Sequence, residues 1–222
     1  MTIIKKHDFV EIEYTARIKE DGTIFDTTEE KVAKENNVYD KNADYSPVIV
    51  CVGENNLLKS LEEQLLDKEI GKEYTFEISA DNAFGKKDAK LIQLIPTNRF
   101  SQQNIQPVPG LQLNIDGVFG VVKTVSGGRV LVDFNHPLAG KDLIYNVKIN
   151  RVIDDDQEKL KSLLKMHLHI KDVEIELKED NVNISLKQDI PKQTQEEFKK
   201  VVERTIPSIK NINFIILEEQ NK

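Results

Sequence analysis

The stretch Asp21-Gly22-Thr23-Ile24-Phe25-Asp26-Thr27 combines a glycine-containing turn with the start of an apolar run. The residues just before it, Phe9 to Ile18, alternate between apolar and polar side chains. This period of two is typical of a strand with one buried face. Two such runs joined by a turn predict an antiparallel hairpin, and therefore an antiparallel sheet in the amino-terminal part of the chain.

The elements that follow predict a helix packed on that sheet. The polar residues 29–46 are expected to form a loop with one helical turn, and Pro47 to Gly53 reads as a buried strand. A helix is predicted to begin at Asn56 and to end before Gly71, because its apolar residues share one face: Leu57, Leu58, Leu61 and Leu65. A strand is expected over Glu73 to Ile78, followed by a loop that contains Ala83-Phe84-Gly85.

The sequence pattern changes from about Gln93 onward. Three prolines punctuate an irregular segment, and the β-like runs 111–125 and 129–134 are joined by Ser126-Gly127-Gly128, which predicts a hairpin. Another alternating strand is expected over Leu143 to Val152.

The last seventy residues predict a separate α+β unit in the order αββαβ. Three aspartates, Asp154 to Asp156, precede its first helix and suit the positive end of the helix dipole. Thr194 and Glu197 predict a capping box for its second helix, and Ile212 to Leu217 predicts the final strand.

Composition and charge exclude several classes of function. A net charge of −7 disfavours nucleic-acid binding, which depends on clustered Lys and Arg. No apolar stretch approaches the length of a membrane span, and the first eight residues lack the apolar core of a signal peptide. The single cysteine, Cys51, lies in an apolar run and agrees with a reducing compartment. We therefore expect a cytoplasmic protein that contacts neither membranes nor nucleic acids.

Four strings in order resemble the FKBP family, and within it the SlyD-like branch, over roughly residues 5–153. They are Asp21 to Thr27; Pro47 to Gly53 with Asn56-Leu57-Leu58-Lys59-Ser60-Leu61-Glu62; Ile70-Gly71-Lys72-Glu73 with Ala80-Asp81-Asn82-Ala83-Phe84-Gly85; and Asn135-His136-Pro137-Leu138-Ala139-Gly140-Lys141 with Leu143 to Val147. The resemblance implies an α+β protein with an antiparallel sheet wrapped on a helix. It also implies an isomerase domain at 1–92 and 136–153, a mostly β insert-in-flap domain at 93–135, and a carboxy-terminal α+β domain at 154–222.

The same resemblance implies a prolyl-isomerase pocket, with no cofactor. Asp26, Tyr14 and Phe84 fall on its catalytic positions, and the implied substrate-binding residues are Phe25, Val48, Val50, Leu57, Leu58, Leu61 and Tyr145. Phe84 stands where the family typically has Tyr, so a substrate-binding hydroxyl is missing. Leu61 and Tyr145 replace the more usual Trp and Phe.

The residues themselves leave simpler alternatives open. Asp26 can cap the turn before Thr27, and leucines at helical spacing are usually core. Tyr14 and Tyr145 can be ordinary half-buried strand residues. His167-Leu168-His169 would converge on a metal only in a strand and has no third ligand nearby, so no metal site is predicted.

The predicted partners are unfolded or proline-containing polypeptides. The resemblance implies that the insert binds unfolded chains, and we expect Phe100, Ile105 and Val108 to face outward because they lie in irregular, proline-flanked chain. Alternatives to an isomerase that assists folding are a holdase chaperone with weak catalysis and a structural dimeric scaffold. The apolar final strand also predicts a homodimer formed through the carboxy-terminal domain, with packing on its own chain as the alternative.

Overall fold

The computed structural model describes residues 2–115, 117–171, 173–187 and 189–217. They form two compact units, Met1–Glu77 with Ile144–Lys222, and Ile78–Leu143. In the described part of the chain, none of the helices has the length and apolarity to cross a bilayer. The strands and helices, in chain order, are β1 (Phe9–Ile18), β2 (Ile24–Thr27), α1 (Glu30–Glu35), β3 (Val48–Cys51), α2 (Lys59–Leu65), β4 (Glu73–Ile78), β5 (Ile92–Pro96), α3 (Thr97–Gln102), β6 (Gln112–Ile115), β7 (Val118–Ser126), β8 (Arg129–Asp133), β9 (Leu143–Val152), α4 (Asp156–Leu168), β10 (Glu174–Lys178), β11 (Asn181–Leu186), α5 (Lys192–Thr205) and β12 (Asn211–Ile216).

The first unit is built on a five-stranded sheet in the order β2-β1-β9-β4, with β3 also paired to β1. The predicted hairpin is present, since β1 and β2 pair antiparallel across the turn at residues 19–23. Val10 and Ile12 on β1 are completely buried, as are Leu61 and Leu65 on α2. The α+β class and the antiparallel sheet with its helix are confirmed.

The predicted boundaries of α2 are wrong at both ends. The helix begins at Lys59 rather than Asn56, because the Asn56 side chain instead accepts a hydrogen bond from the Cys51 backbone N–H at 2.8 Å. It ends at Leu65, well before Gly71. The chain turns away there, since the Asp67 N–H donates to the carbonyl of Ile4 at 3.0 Å.

The second unit contains a four-stranded sheet in the order β5-β8-β7-β6. The predicted hairpin joins β7 to β8 through Gly127 and Gly128, which both have positive φ angles. The long run predicted over residues 111–125 is two strands, β6 and β7, that pair with each other. One face of the sheet carries a small core formed by Ile95, Phe100, Val122, Val130 and Val132.

The expectation that Phe100 faces outward is wrong. The segment after β5 is not irregular but forms the short helix α3, which turns Phe100 into that core with 3% of its surface exposed. Ile105 is half-buried against the same core. Of the three predicted residues, Val108 is the one with a large exposed surface, at 48%.

The carboxy-terminal elements follow the predicted order αββαβ. β11 lies between β10, which is antiparallel to it, and β12, which is parallel to it. Asp155 caps α4 by accepting a hydrogen bond from the Glu158 N–H at 2.8 Å, as the acidic run predicts. The predicted capping box is wrong, because α5 begins at Lys192, so Thr194 lies inside its first turn.

These elements share one core with the amino-terminal sheet. Phe9 from β1 and Cys51 from β3 belong to the same buried cluster as Leu160 and Leu164 of α4 and Phe198 of α5. The carboxy-terminal elements therefore pack on the amino-terminal part of their own chain, which is one of the two alternatives left open by the sequence. The self-association prediction is a separate matter and remains a prediction.

Candidate prolyl-isomerase site

The hairpin of β1 and β2 brings a phenol and a carboxylate together. Ala16 lies opposite Asp26 in the β1–β2 register, which places Tyr14 diagonally across from Asp26. The Tyr14 hydroxyl donates a hydrogen bond to Asp26 Oδ2 at 2.7 Å. The turn after β2 is held differently, because Thr27 Oγ1 accepts from the Glu29 N–H at 3.2 Å. The Asp26 carboxylate is thus bonded to Tyr14, while Thr27 fulfils the capping role considered as the alternative for Asp26.

Two further aromatic rings stand beside this pair. The Tyr145 ring, on β9, has its centroid 5.9 Å from that of Tyr14 and 6.1 Å from that of Phe25, which it meets edge to face. Such spacings are typical of favourable aromatic contacts. Tyr145 is 6% exposed, whereas Tyr14 and Phe25 are half-buried and Asp26 is exposed. The result is an apolar floor with one carboxylate at its rim.

Both tyrosines keep their protons throughout the neutral range. Burial, followed by the charge of Asp26, raises the pKa of Tyr145 to about 12. Burial and then the charge and hydrogen bond of Asp26 raise the pKa of Tyr14 further still. Tyr14 is therefore a permanent hydrogen-bond donor to the carboxylate.

The remaining predicted pocket residues of the first unit differ in exposure. Val48, Leu57 and Leu58 are half-buried and retain surface that a ligand can touch. Val50 and Leu61 are completely buried. A side chain with no exposed surface cannot touch a bound peptide, so in this conformation these two residues belong to the core.

None of the described residues forms a cluster of three or more His, Cys, Asp and Glu side chains suited to a metal. His167 lies on α4, whereas His169 is its left-handed C-cap, so the pair does not have the strand geometry that convergence would need. Burial raises the pKa of the Cys51 thiol to about 12, which leaves it protonated and a poor nucleophile.

Comparisons with known proteins identify the family of this chain. A family model described as "FKBP26, IF domain" matches residues 93–138. The "Short-type peptidyl-prolyl cis-trans isomerase" of Methanocaldococcus jannaschii is 34% identical over 158 residues, 71% of this chain and 99% of that protein. The "Probable FKBP-type 16 kDa peptidyl-prolyl cis-trans isomerase" of Pseudomonas fluorescens is 36% identical over 115 residues, 50% of this chain and 75% of that protein. This chain belongs to the FKBP-type peptidyl-prolyl cis-trans isomerase family.

This FKBP-type chain is also similar in sequence to proteins named SlyD. The "FKBP-type peptidyl-prolyl cis-trans isomerase SlyD" of Helicobacter pylori is 29% identical over 115 residues, 50% of this chain and 62% of that protein. The matched family model coincides with the predicted insert-in-flap segment. The individual domain boundaries remain predictions.

In the second unit of this FKBP-type chain, Phe84 is paired with a residue that the sequence analysis did not select. The Phe84 ring stacks on the His136 imidazole with centroids 4.2 Å apart and planes 4° from parallel. His136 Nδ1 accepts a hydrogen bond from the Leu138 N–H at 3.2 Å, which fixes the ring in its turn. In the sequence, His136 stands in one of the four family strings and directly before Pro137, a position that predicts a turn rather than an aromatic partner.

The insert also exposes apolar residues other than the three that were expected to face outward. Leu94, on β5, lies opposite Leu131, and both occupy the sheet face that turns away from the Phe100 core. Phe119 and Val121 of β7 lie on the same face, as the strand register requires. Leu94 is 59% exposed and Phe119 is 41% exposed. We call Leu94, Phe119, Val121 and Leu131 the open face of the insert.

Proposed function

We propose that this chain catalyses the cis-trans isomerisation of X-Pro bonds in polypeptides at the site formed by Tyr14, Phe25, Asp26 and Tyr145. The observation that carries the proposal is the hydrogen bond from Tyr14 to Asp26 at the rim of an aromatic floor. Val48, Leu57 and Leu58 are proposed as further substrate-binding residues, with Val50 and Leu61 as support beneath them. Phe84, which lies in the second unit, remains a predicted catalytic residue that rests on the family resemblance alone.

The reaction needs no covalent step. The barrier to rotation about the amide is ~20 kcal/mol because twisting removes its resonance. A planar amide is more polar than a twisted one and therefore loses more on leaving water for an apolar surface. A binding surface that also fits the twisted amide better than the planar amide lowers the barrier, because it binds the transition state more tightly than the substrate. A million-fold acceleration requires about 8 kcal/mol from these effects together.

Asp26 is proposed to orient or polarise the twisting amide. Its charge lies beside an apolar surface, where electrostatic effects are larger than in water. Tyr14 holds the carboxylate in one direction and does not lose its own proton at neutral pH, because the pKa of the phenol is raised. No proton has to move between enzyme and substrate, so we expect turnover to be nearly independent of pH between about 6 and 9.

The direct test is a cis-trans assay on a proline-containing tetrapeptide, run beside the refolding of a protein that is limited by prolyl isomerisation. Acceleration of both reactions supports isomerase activity. The holdase alternative would be favoured by a different result. In that result the chain does not accelerate the tetrapeptide reaction, yet it accelerates refolding or suppresses aggregation of the refolding protein. The tetrapeptide arm is decisive because so short a substrate has little surface for the insert to bind.

A second role is proposed for the insert, which is to bind unfolded chains. It is supported by the open face, since exposed apolar patches on soluble proteins often mark interaction sites. Tethering a client in this way raises the local concentration of its prolines at the pocket. We expect Leu94→Ser with Phe119→Ser to lower activity on a refolding protein while tetrapeptide activity stays unchanged. Val118→Ser, at an exposed residue of β7 on the opposite face of the sheet from Phe119, is the control, and an equal loss from this control would remove the open face as the client site.

Two further proposals concern the whole chain. Self-association is supported by β12, an edge strand of its sheet whose Ile215 and Ile216 are 43% and 51% exposed. Light scattering on the full chain at tens of micromolar tests it, and a monomeric mass would rule it out. A cytoplasmic location is proposed from the single buried cysteine and awaits fractionation of cells that express the chain.

A further inference from the structure

An ion pair between the buried Glu54 carboxylate and the half-exposed Arg204 guanidinium joins α5 to the loop that precedes α2. Arg204, on α5, donates from Nε to Glu54 Oε1 at 2.8 Å and from a terminal nitrogen to Glu54 Oε2. The Glu54 side chain is 6% exposed. The Arg204 hydrogen bond is the main reason why the pKa of Glu54 lies below its usual range. A two-pronged contact of this kind fixes direction as well as distance.

Two histidines surround the pair. His7 Nδ1 lies 3.3 Å from Glu54 Oε1, and burial lowers the pKa of His167, on α4, which keeps this imidazole neutral at neutral pH. His167 Nε2 is buried with no hydrogen-bond partner. Arg204 is the partner that donates to both carboxylate oxygens of Glu54.

Glu54 sits inside a loop that is held from its other side as well. The Glu62 carboxylate accepts hydrogen bonds from the backbone N–H groups of Gly53, Asn55 and Leu57 at 2.8, 3.1 and 2.8 Å. Glu62 itself is 3% exposed and lies on α2. Residues 53–58 therefore lie between two buried carboxylate contacts, one to α2 and one to α5.

This loop ends in two residues of the proposed site, Leu57 and Leu58. Both are half-buried and lie directly before α2. The ion pair is not the only attachment of the carboxy-terminal elements, because Phe9 and Cys51 share their apolar core. What the ion pair adds is a contact to the loop itself, through Glu54.

We propose that Arg204 is a positioning residue for the prolyl-isomerase site. By holding Glu54, it fixes residues 53–58 and through them the surface that Leu57 and Leu58 present to a bound peptide. The carboxy-terminal unit thereby completes the site without touching the substrate. This inference rests on the proposed isomerase function.

The test compares full-length variants in the tetrapeptide assay at a temperature where all are folded. Arg204→Gln is expected to lower kcat/KM at least threefold, mainly by raising KM, because the affected residues bind the peptide. Arg204→Lys, which keeps the charge, should recover part of the loss. Lys200→Gln, an exposed change on the same helix, should match the wild type. Methyl NMR signals of Leu57 and Leu58 should shift in Arg204→Gln and stay in place in Lys200→Gln.

A double variant keeps the test clear of misfolding caused by an unpaired buried charge. Glu54→Gln with Arg204→Gln leaves no ion unpaired and should lose no more activity than Arg204→Gln alone, since the two residues act as one unit. Unchanged kcat/KM and unchanged Leu57 and Leu58 signals in both variants would overturn the inference. Absence of tetrapeptide activity in the wild type would instead overturn the proposed function.

Discussion

At the scale of single residues, the proposed site has one carboxylate, Asp26, and its proposed role involves no proton transfer. Asp26 is bonded to a phenol, Tyr14, that keeps its proton, and the adjoining rings are apolar. This arrangement suits a reaction in which the charge distribution of an amide changes and no proton is transferred. The same arrangement would be unsuited to hydrolysis, which needs a nucleophile and a group of tuned pKa.

Phe84 offers a substitution that is expected to help. Phe84→Tyr adds a hydroxyl at a position where the family typically has one, and Phe84 is half-buried rather than enclosed. We expect tetrapeptide kcat/KM to be equal or higher, by up to about fivefold if one hydrogen bond worth ~1 kcal/mol is gained. His136→Leu, which removes the stacked imidazole, serves as the comparison. A clear loss of activity in Phe84→Tyr would show that this ring serves packing alone.

The sequence predicted the hairpin, but it predicted neither which side chains meet across it nor how exposed they are. Tyr14 and Asp26 come together because a strand register follows from a short turn. Phe100 was assigned to the surface because nothing in a proline-flanked segment signals a six-residue helix whose stability depends on tertiary contacts. The Phe84–His136 stack likewise joins residues 52 positions apart, and no local pattern reports such a contact.

At the scale of elements, the start of α2 shows how a buried side chain can set a boundary. Glu62 accepts three backbone hydrogen bonds from the loop before the helix, which keeps residues 53–57 out of it. The alternative helix beginning at Asn56 satisfied the apolar spacing equally well, so periodicity alone could not choose. The first residue of the helix depends on which groups accept hydrogen bonds from the backbone N–H groups of the preceding loop.

Glu62→Gln tests this account of the loop. An amide has one acceptor oxygen and brings two N–H donors into a buried site, so part of the loop's bonding is lost. We expect the free energy of unfolding to fall by about 1–3 kcal/mol. Urea unfolding measures the change, with the exposed Glu63→Gln on the same helix as control. Equal stability of the two variants would contradict the account.

Gly120 tests the packing of the insert. A Cβ at this position would lie 2.8 Å from the Phe134 ring and 2.8 Å from Val132 Cγ1, closer than side chains tolerate. Gly120→Ala is therefore expected to destabilise the insert by about 1–3 kcal/mol through overpacking. Thr124→Ala, an exposed change on the same strand, is the control. Hydrogen exchange of the β7 and β8 amides measures the effect, and unchanged protection in Gly120→Ala would contradict the packing described here.

At the scale of the whole molecule, the sequence predicted the order of the elements better than their assembly. The αββαβ order of the last seventy residues is as predicted. The carboxy-terminal elements share a core with Phe9 and Cys51. The sequence offered this packing as one of two alternatives, because an apolar strand or helix face does not reveal what covers it. Long-range partners such as Glu54 and Arg204 leave no mark on local spacing.

The Glu54–Arg204 pair gives the assembly a pH dependence with a definite sign. The pKa of Glu54 is lowered in the folded chain, so its contribution to stability is fully present above the ordinary glutamate pKa of about 4.3 and is lost as the pH falls through the folded value. We expect the stability difference between wild type and the Glu54→Gln, Arg204→Gln double variant to shrink between about pH 5 and pH 3. Urea unfolding across that range measures it. A difference that stays constant with pH would contradict the lowered pKa.

The central claim is that Asp26, held by Tyr14, promotes rotation about the prolyl bond. Its most direct test is the tetrapeptide assay on Asp26→Ala, with circular dichroism and thermal unfolding used to establish that the variant is folded. We predict that kcat/KM falls at least tenfold, which corresponds to about 1.4 kcal/mol of lost transition-state stabilisation. A folded Asp26→Ala variant that isomerises the tetrapeptide as fast as the wild type would contradict the claim.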